Sequence, residues 1–271
     1  MRTRSGESSV TFGGDLNGGP RGVLSVGLLG PLAVSVDGHA VSLSAGRLRA
    51  LLATLALSSG QVVSVERLAT AVWADERPPG NVRRSVQTYI ARLRGVLGAG
   101  SIGSGPLGYV LHADPEHVDV LRFVRLLNAA SRASNPADER ARLAEALELW
   151  RGRPLDGVPS HWLQEAETPW LVERYLAALE RRIDLDVSAG LHRELVAKLS
   201  ELTARYPLRE SLWARLLIVL CRSGRQADAL ARYEEIRARI AAELGTDPHP
   251  TLTRIHADLL ASRAPSLEVG V

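Results

Sequence analysis

Residues 81–98, NVRRSVQTYIARLRGVLG, carry four arginines, a glutamine and a threonine, and no acid. Side chains of these types grip phosphate oxygens and read base edges, so the chemistry they offer is recognition of a polyanion. At about 100° per residue, Val82, Val86, Tyr89, Ile90, Leu93, Val96 and Leu97 form one continuous apolar stripe, the core side of a helix. The opposite face presents Arg84, Gln87, Thr88, Ala91 and Gly95, with Arg83 and Arg94 on one flank and Arg92 on the other. Small residues at its centre permit close approach to a surface.

A solvated basic face is the simpler reading of such a helix, and three features oppose it. No acid within the helix stands four residues from any of these arginines to form the usual surface pair. Arg83 and Arg84 lie in the first turn, where they oppose the helix dipole at about 0.3–1 kcal/mol each, a cost that a bound phosphate offsets. A hairpin then follows, with the tip GSGPLGY, able to reach a neighbouring groove or backbone. The reading is contact with DNA.

The remaining chemistry is excluded by inventory. The only lysine, Lys198, sits between Ala197 and Leu199, so no Walker A phosphate loop exists, and neither HExxH nor CxxC occurs. The seven histidines are scattered; His192 and His256 lie in helical patterns and read as surface or packing residues. No carboxylate pair stands apart from the charged helical faces. The expectation is a protein that is not an enzyme and has no metal or cofactor.

At 271 residues with 45% hydrophobic content, the chain is long enough for two ordinary domains. One cysteine, Cys221, permits no intramolecular disulfide, and the N-terminus lacks the apolar core of a signal peptide. The longest apolar run, LLIVLC at 216–221, falls far short of the roughly 20 residues of a membrane span. A soluble, cytoplasmic protein with no membrane contact is expected. Residues 22–113 carry 8 Arg against 4 acids, a net +4, whereas residues 114–271 carry 22 basic against 24 acidic residues, a net −2. The first half is where a polyanion would dock.

The elements that position the basic helix can be read outward from it. Residues 1–22 are Gly-rich and without periodicity, an expected disordered tail. From Leu24 to Leu43, short apolar runs broken at Gly30-Pro31 and Asp37-Gly38 predict a small antiparallel sheet. A helix over 47–59 puts Leu48, Leu51, Leu52 and Leu55 on one face, and Ser64 reads as the N-cap of a second, with Arg67 where a capping box has Glu. Two short strands are predicted within 101–112. Sheet, three helices and a hairpin are the order of a winged helix over 23–113.

From Asp119 the rhythm is helical, with breaks at Pro136, RGRPLDGVPS, Pro207, Gly224 and GTDPHP. Gly190 and Gly224 lie 34 residues apart, the period of tetratricopeptide helix pairs. Trp213, Gly224, Ala229 and Tyr233 match that motif in the second unit; the first is divergent, with Leu195 and Leu199 in the places of Ala229 and Tyr233. Trp73, Trp150, Trp162, Trp170 and Trp213 read as core in preference to binding hot spots. The fold class is mainly α: an α+β winged helix-turn-helix domain, then an all-α tetratricopeptide-like domain over 119–262 and a tail over 263–271.

The segments LGPLAVSVDGHAVSL, RLRALLATLALSSGQVVSVERLATAVW, RPPGNVRRSVQTYIARLRGVLG, GYVL, LELWRGRPL and YPLRESLWARLLIVLCRSGRQADALARYEEIRARIAAELGTDPHPTL resemble, in order and spacing, the Streptomyces antibiotic regulatory protein family. The resemblance covers residues 24 to about 262 and implies an OmpR-type winged helix followed by a bacterial transcriptional activation domain. It implies activation of an antibiotic gene cluster by binding tandem direct repeats near the promoter −35 element, a second copy on DNA, and recruitment of RNA polymerase holoenzyme through sigma region 4 and the alpha C-terminal domain. With nothing after residue 271, a small single-unit, nucleoid-associated member is expected.

Carried over by position, Arg84, Gln87, Thr88, Arg92 and Arg94 fall on the recognition helix. Arg83 and Arg84 stand where many members are less basic, so their DNA contact is an expectation from this sequence. Arg49 matches the family and is either a DNA contact or an internal salt bridge; Tyr109 is either a wing contact or strand core. In the loop ADERPPGN, Asp75 and Glu76 would repel a phosphate backbone. In OmpR-type regulators the equivalent loop touches polymerase, so Asp75, Glu76 and Arg77 are expected to meet sigma factor, a solvated turn being the alternative. The competing reading of the whole is a helical-repeat adaptor whose N-terminal module does not read DNA.

Overall fold

The computed structural model describes residues 22–74, 76–263 and 265. The expected N-terminal tail, 1–22, lies almost wholly outside them, as does most of the C-terminal tail.

Strands β1 (Leu24–Gly27), β2 (Ala33–Val36) and β3 (His39–Ala40) form an antiparallel sheet in that order. Its second connection is the Asp37-Gly38 turn, with φ of 51° and 78°. Positive φ at both central residues is what a two-residue hairpin twisted like its strands requires. Helix α1 (Gly46–Leu57) buries Leu48, Leu51, Leu52 and Leu55, as the periodicity predicts. Helix α2 (Val65–Trp73) is capped by Ser64, whose hydroxyl accepts from the Arg67 N–H. Helix α3 (Val82–Leu97) follows, then β5 (Ile102–Gly105) and β6 (Gly108–Leu111).

The hairpin has a third strand that apolar patterning does not announce. β4 (Val63–Ser64) pairs with β6, giving the order β4-β6-β5. The approach depends on Gly108: a Cβ there would lie 2.0 Å from the Val63 carbonyl oxygen.

Contacts divide the chain into two compact units: residues to Asp119 with Leu155–Leu163, and Val120–Pro154 with everything from Gln164. The first unit thus recruits a stretch that sequence reasoning assigns to the helical half. Leu155 donates its N–H to the Leu28 carbonyl (2.8 Å) and Leu32 donates to Asp156 (2.9 Å). The Asp119 carboxylate accepts from Leu28 N (2.7 Å) and Leu29 N (2.9 Å), binding a turn whose leucines are fully buried. Leu155 has φ of 59°, a left-handed conformation unfavourable for a branched side chain, and its complete burial offsets the strain.

The second unit is built from α4 (Asp119–Ala130), α5 (Pro136–Glu148), α6 (His161–Ser188), α7 (His192–Arg205), α8 (Glu210–Arg222), α9 (Gln226–Leu244) and α10 (Pro250–Leu260). Gly190 and Gly224 both have positive φ, at the ends of α6 and α8, so the 34-residue spacing marks equivalent corners. Trp213, Ala229 and Tyr233 are buried together with Leu195 and Leu199. The Trp213 indole donates to the Pro207 carbonyl at 2.9 Å. Trp73 and Trp213 are core residues; Trp150, Trp162 and Trp170 are half-buried. Arginines bind α6 to its neighbours: Arg215 on α8 forks onto Asp184 (2.8 and 2.7 Å) and reaches Glu180 (3.0 Å), and Arg181 on α6 holds Glu139 of α5 (2.6 and 2.8 Å). No helix among the described residues is long and apolar enough to cross a membrane.

Leu155, Val158 and Leu163 are each at most 2% exposed. At roughly 1.5–3 kcal/mol per buried side chain, losing them removes a large part of the stability of a small domain. A fragment of residues 22–119 is therefore expected to lack a cooperative melt in near-UV circular dichroism, which the same fragment joined by a short linker to 155–163 regains. Arg181 also holds the Glu139 carboxyl below its ordinary range. A depressed carboxylate lends stability that is complete above its unfolded pKa and is lost as pH falls through the folded one. Glu139→Gln is expected to lower stability near neutral pH, by on the order of a few tenths of a kcal/mol for so exposed a partner and seen as a lower Tm, and to leave Tm unchanged in strong acid.

Candidate nucleic-acid interface

Asn81 caps α3, its side chain accepting from the Arg84 N–H at 2.9 Å. The first turn holds no acid. Val86, Ile90, Leu93 and Leu97 are buried, Val82 and Tyr89 half-buried. The expected stripe is narrower than its sequence: Val96 is 44% exposed, because at 100° per residue it lies about 90° from the centre of the four buried residues, on the last turn.

Arg83, Arg84, Gln87, Thr88, Ala91, Arg92 and Gly95 are all exposed. Arg83 and Arg84 form no ion pair among the described residues, leaving their guanidiniums available to an anion. An acid that feels Arg83 is Glu66 of α2. Its carboxyl is held below the ordinary range by its own backbone N–H and the Ser64 hydroxyl, with Arg83 adding a smaller pull. The Thr88 hydroxyl donates to the Arg84 carbonyl (3.0 Å), which fixes its rotamer while the oxygen can still accept.

Arg94 has a different task. It is half-buried, and its Nε and Nη2 both donate to the Ile102 carbonyl (2.9 and 2.7 Å), with Nη2 also reaching the Ser104 hydroxyl (2.7 Å). It ties the recognition helix to β5. Between the two runs a crevice of about 300 Å³ lined by Arg83, Gln87, Arg94, Ser104 and Tyr109, among others. Tyr109 is 8% exposed and sits in the sheet opposite Val63 and Ser104, a strand position that also borders the crevice. Arg49 is half-buried and forms no salt bridge among the described residues, where its Nε is buried without a hydrogen-bond partner.

The loop before α3 is pinned to it. Arg47, in the first turn of α1, donates to the Glu76 carboxylate (2.6 Å) and to the Tyr89 hydroxyl (3.2 Å). Those two bonds, the Tyr89 bond foremost, push its guanidinium pKa further up. Arg92 lies 5.9 Å from the centre of the same Tyr89 ring. Glu76 is thus a bound member of an α1–loop–α3 cluster, while Arg77 is exposed and Asp75 lies outside the described residues. Sequence reasoning missed Arg47, although a basic residue at a helix N-terminus is the same anomaly that marked Arg83 and Arg84.

A recognition helix with an acid-free exposed face, flanked by a three-stranded wing and joined to a helical-repeat unit, defines a bacterial transcriptional regulator. The comparisons agree. Residues 118–260 match the family model "Bacterial transcriptional activator domain", and residues 38–106 match "Transcriptional regulatory protein, C terminal". Regulatory protein DnrI of Streptomyces peucetius is 36% identical over 253 residues, 88% of this chain and 93% of that protein. Regulatory protein AfsR of Streptomyces coelicolor is 40% identical over 88% of this chain, which spans only 24% of that larger protein. A solved structure of Mycobacterium tuberculosis EmbR, in complex with a low-affinity phosphopeptide, superposes with a TM-score of 0.83 at 32% identity, covering 89% of this chain and 66% of that one. The chain belongs to the Streptomyces antibiotic regulatory protein family, whose members are transcriptional regulators and not enzymes.

Arg94→Leu removes charge-assisted bonds to Ile102 and Ser104 and is expected to destabilise the first unit by about 1.5–3 kcal/mol, read from the urea midpoint. Arg84→Leu, which breaks no side-chain bond, is expected to leave that midpoint in place.

Proposed function

We propose that this chain activates an antibiotic or other secondary-metabolite gene cluster by binding tandem direct repeats near the promoter −35 element and recruiting RNA polymerase. The observation that carries the reading is the exposed face of α3, with Arg83, Arg84, Gln87, Thr88 and Arg92 around the small residues Ala91 and Gly95. In this reading α3 enters the major groove and the wing approaches the adjacent minor groove. Arginine contacts with phosphates supply most of the affinity, and base contacts by Gln87, Thr88 and an arginine discriminate, at about 1–3 kcal/mol each. Arg49 and Tyr109 are further proposed contacts, and Arg94 acts chiefly as the clamp on the wing.

Two copies on a direct repeat are related by translation, so contacts between them are heterologous. Residues 23–113 form the DNA-reading module, completed by Leu155–Leu163, and 119–262 the activation module. Glu76, its carboxylate held by Arg47, faces sigma region 4 together with Asp75 and Arg77. The alpha C-terminal domain is a second polymerase contact.

The test is capture of sheared host genomic DNA by the purified chain at near-physiological salt, followed by sequencing. Enrichment of a few sites with direct repeats beside −35 elements is expected; a flat profile from folded protein moves the adaptor reading to first place. On a captured duplex, Arg84→Leu is expected to reduce the slope of log K against log salt by about 0.9, the value for one lost phosphate contact.

A further inference from the structure

The wing carries no cation. From Ile102 to Leu111 the residues are IGSGPLGYVL, so the hairpin has no side chain with which to grip a phosphate by charge. What it presents is an apolar knob: Leu107, at 75%, is the most exposed of the large hydrophobic side chains among the described residues. The knob is rigidly mounted. Pro106 and Leu107 form a two-residue loop closed by the Gly105–Gly108 pair. Gly108 presses against the Val63 carbonyl of β4, where any Cβ would collide at 2.0 Å. Arg94 fastens the base of β5 to the recognition helix. The position of Leu107 relative to α3 is therefore set before any ligand binds.

We infer that Leu107 is a specificity-determining residue, an apolar wedge that reads the deformability of the minor groove flanking the site occupied by α3. The inference rests on the DNA-binding reading above. Apolar side chains in the minor groove pack on the sugar walls and pry at base steps, and pyrimidine–purine steps yield to this most easily. An exposed Leu beside a Pro, on a turn without charge, suits that task and is unsuited to gripping phosphates. The discrimination it makes concerns the stiffness of a step rather than the hydrogen-bonding edge of a base.

The test uses the full chain and 40-bp fluorescent duplexes cut from genomic DNA captured by the wild type, in which each flanking step is varied between TA and GC. Wild type is expected to prefer TA at one flanking step. Leu107→Ala is expected to bind the TA duplex roughly tenfold more weakly, lose that preference and keep its salt slope. Leu107→Arg is expected to steepen the slope by about 0.9, as a gained phosphate contact would. Both substitutions sit at an exposed tip, and an unchanged melting curve confirms the fold. Unaltered affinity and step preference in Leu107→Ala would overturn the inference and assign the knob to a protein partner. If wild type binds no duplex in a salt-dependent way, the DNA-binding reading itself fails, an outcome distinct from a silent Leu107.

Discussion

The geometry of the surface proposed to face DNA depends on one guanidinium. Arg94 lies on α3, yet its donors point away from the exposed face and into the wing, two onto the Ile102 carbonyl and one shared with Ser104. Helix and hairpin are separated in sequence only by the turn at Gly98–Ser101, closed by the Ser101 N–H and hydroxyl on the Gly98 carbonyl (3.1 and 2.7 Å), and a further bond helps to set the angle between them. A charged donor bonded to a carbonyl near the core is directional and strong enough to do so. Gly108 completes the constraint by letting β6 lie flat on β4. With both ends of the hairpin held, the exposed residues of α3 and the wing tip act as one preorganised surface, and binding loses less to ordering.

The two units treat arginine in opposite ways. In the helical unit Arg181, Arg209 and Arg215 are matched to Glu139, Glu173, Glu180 and Asp184, partly buried pairs that fix how α5 and α8 lie on α6. Such pairs add less net stability than their number suggests, because desolvation offsets much of the attraction. Their effect is to specify register, since a helix slipped by one turn would leave charges without partners. Among the described residues the arginines of α3 have no such partners, and Arg83, Arg84 and Arg92 are exposed to solvent. This difference, more than the net charge of +3, separates a scaffold from a docking surface.

What could be read from sequence follows the range of the interactions involved. Periodicity and capping are local, so α1, α2, α3 and the corners at Gly190 and Gly224 were legible from neighbours within a few residues. The exposed set on α3 was legible for the same reason. The role of Arg94 was not, since the helical wheel gives its direction and not the carbonyl eight residues on that receives it. Leu155–Leu163 reads as loop and helix start, and its membership of the winged-helix unit rests on hydrogen bonds to residues more than 120 positions earlier. The tie between Arg47 and Glu76 spans 29 residues and two elements. For Tyr109, an aromatic in a two-faced strand fits either side, and its burial and its pairing with Val63 come from residues more than 40 positions away.

The first turn of α3 collects what helix formation alone would avoid: two arginines at the positive end of the dipole, with a single Asn side chain as cap. The unfavourable term, about 0.3–1 kcal/mol for each arginine, is several times smaller than the gain from burying Val86, Ile90, Leu93 and Leu97. Stability therefore comes from one side of the helix and recognition from the other. On the proposed reading, substituting the exposed Gln87 or Thr88 changes what the surface reads while leaving the core contacts untouched. Arg94 and Gly108 do not share that freedom, because each holds the wing to its neighbours: changing either moves the wing, and with it the groove contact proposed for Leu107.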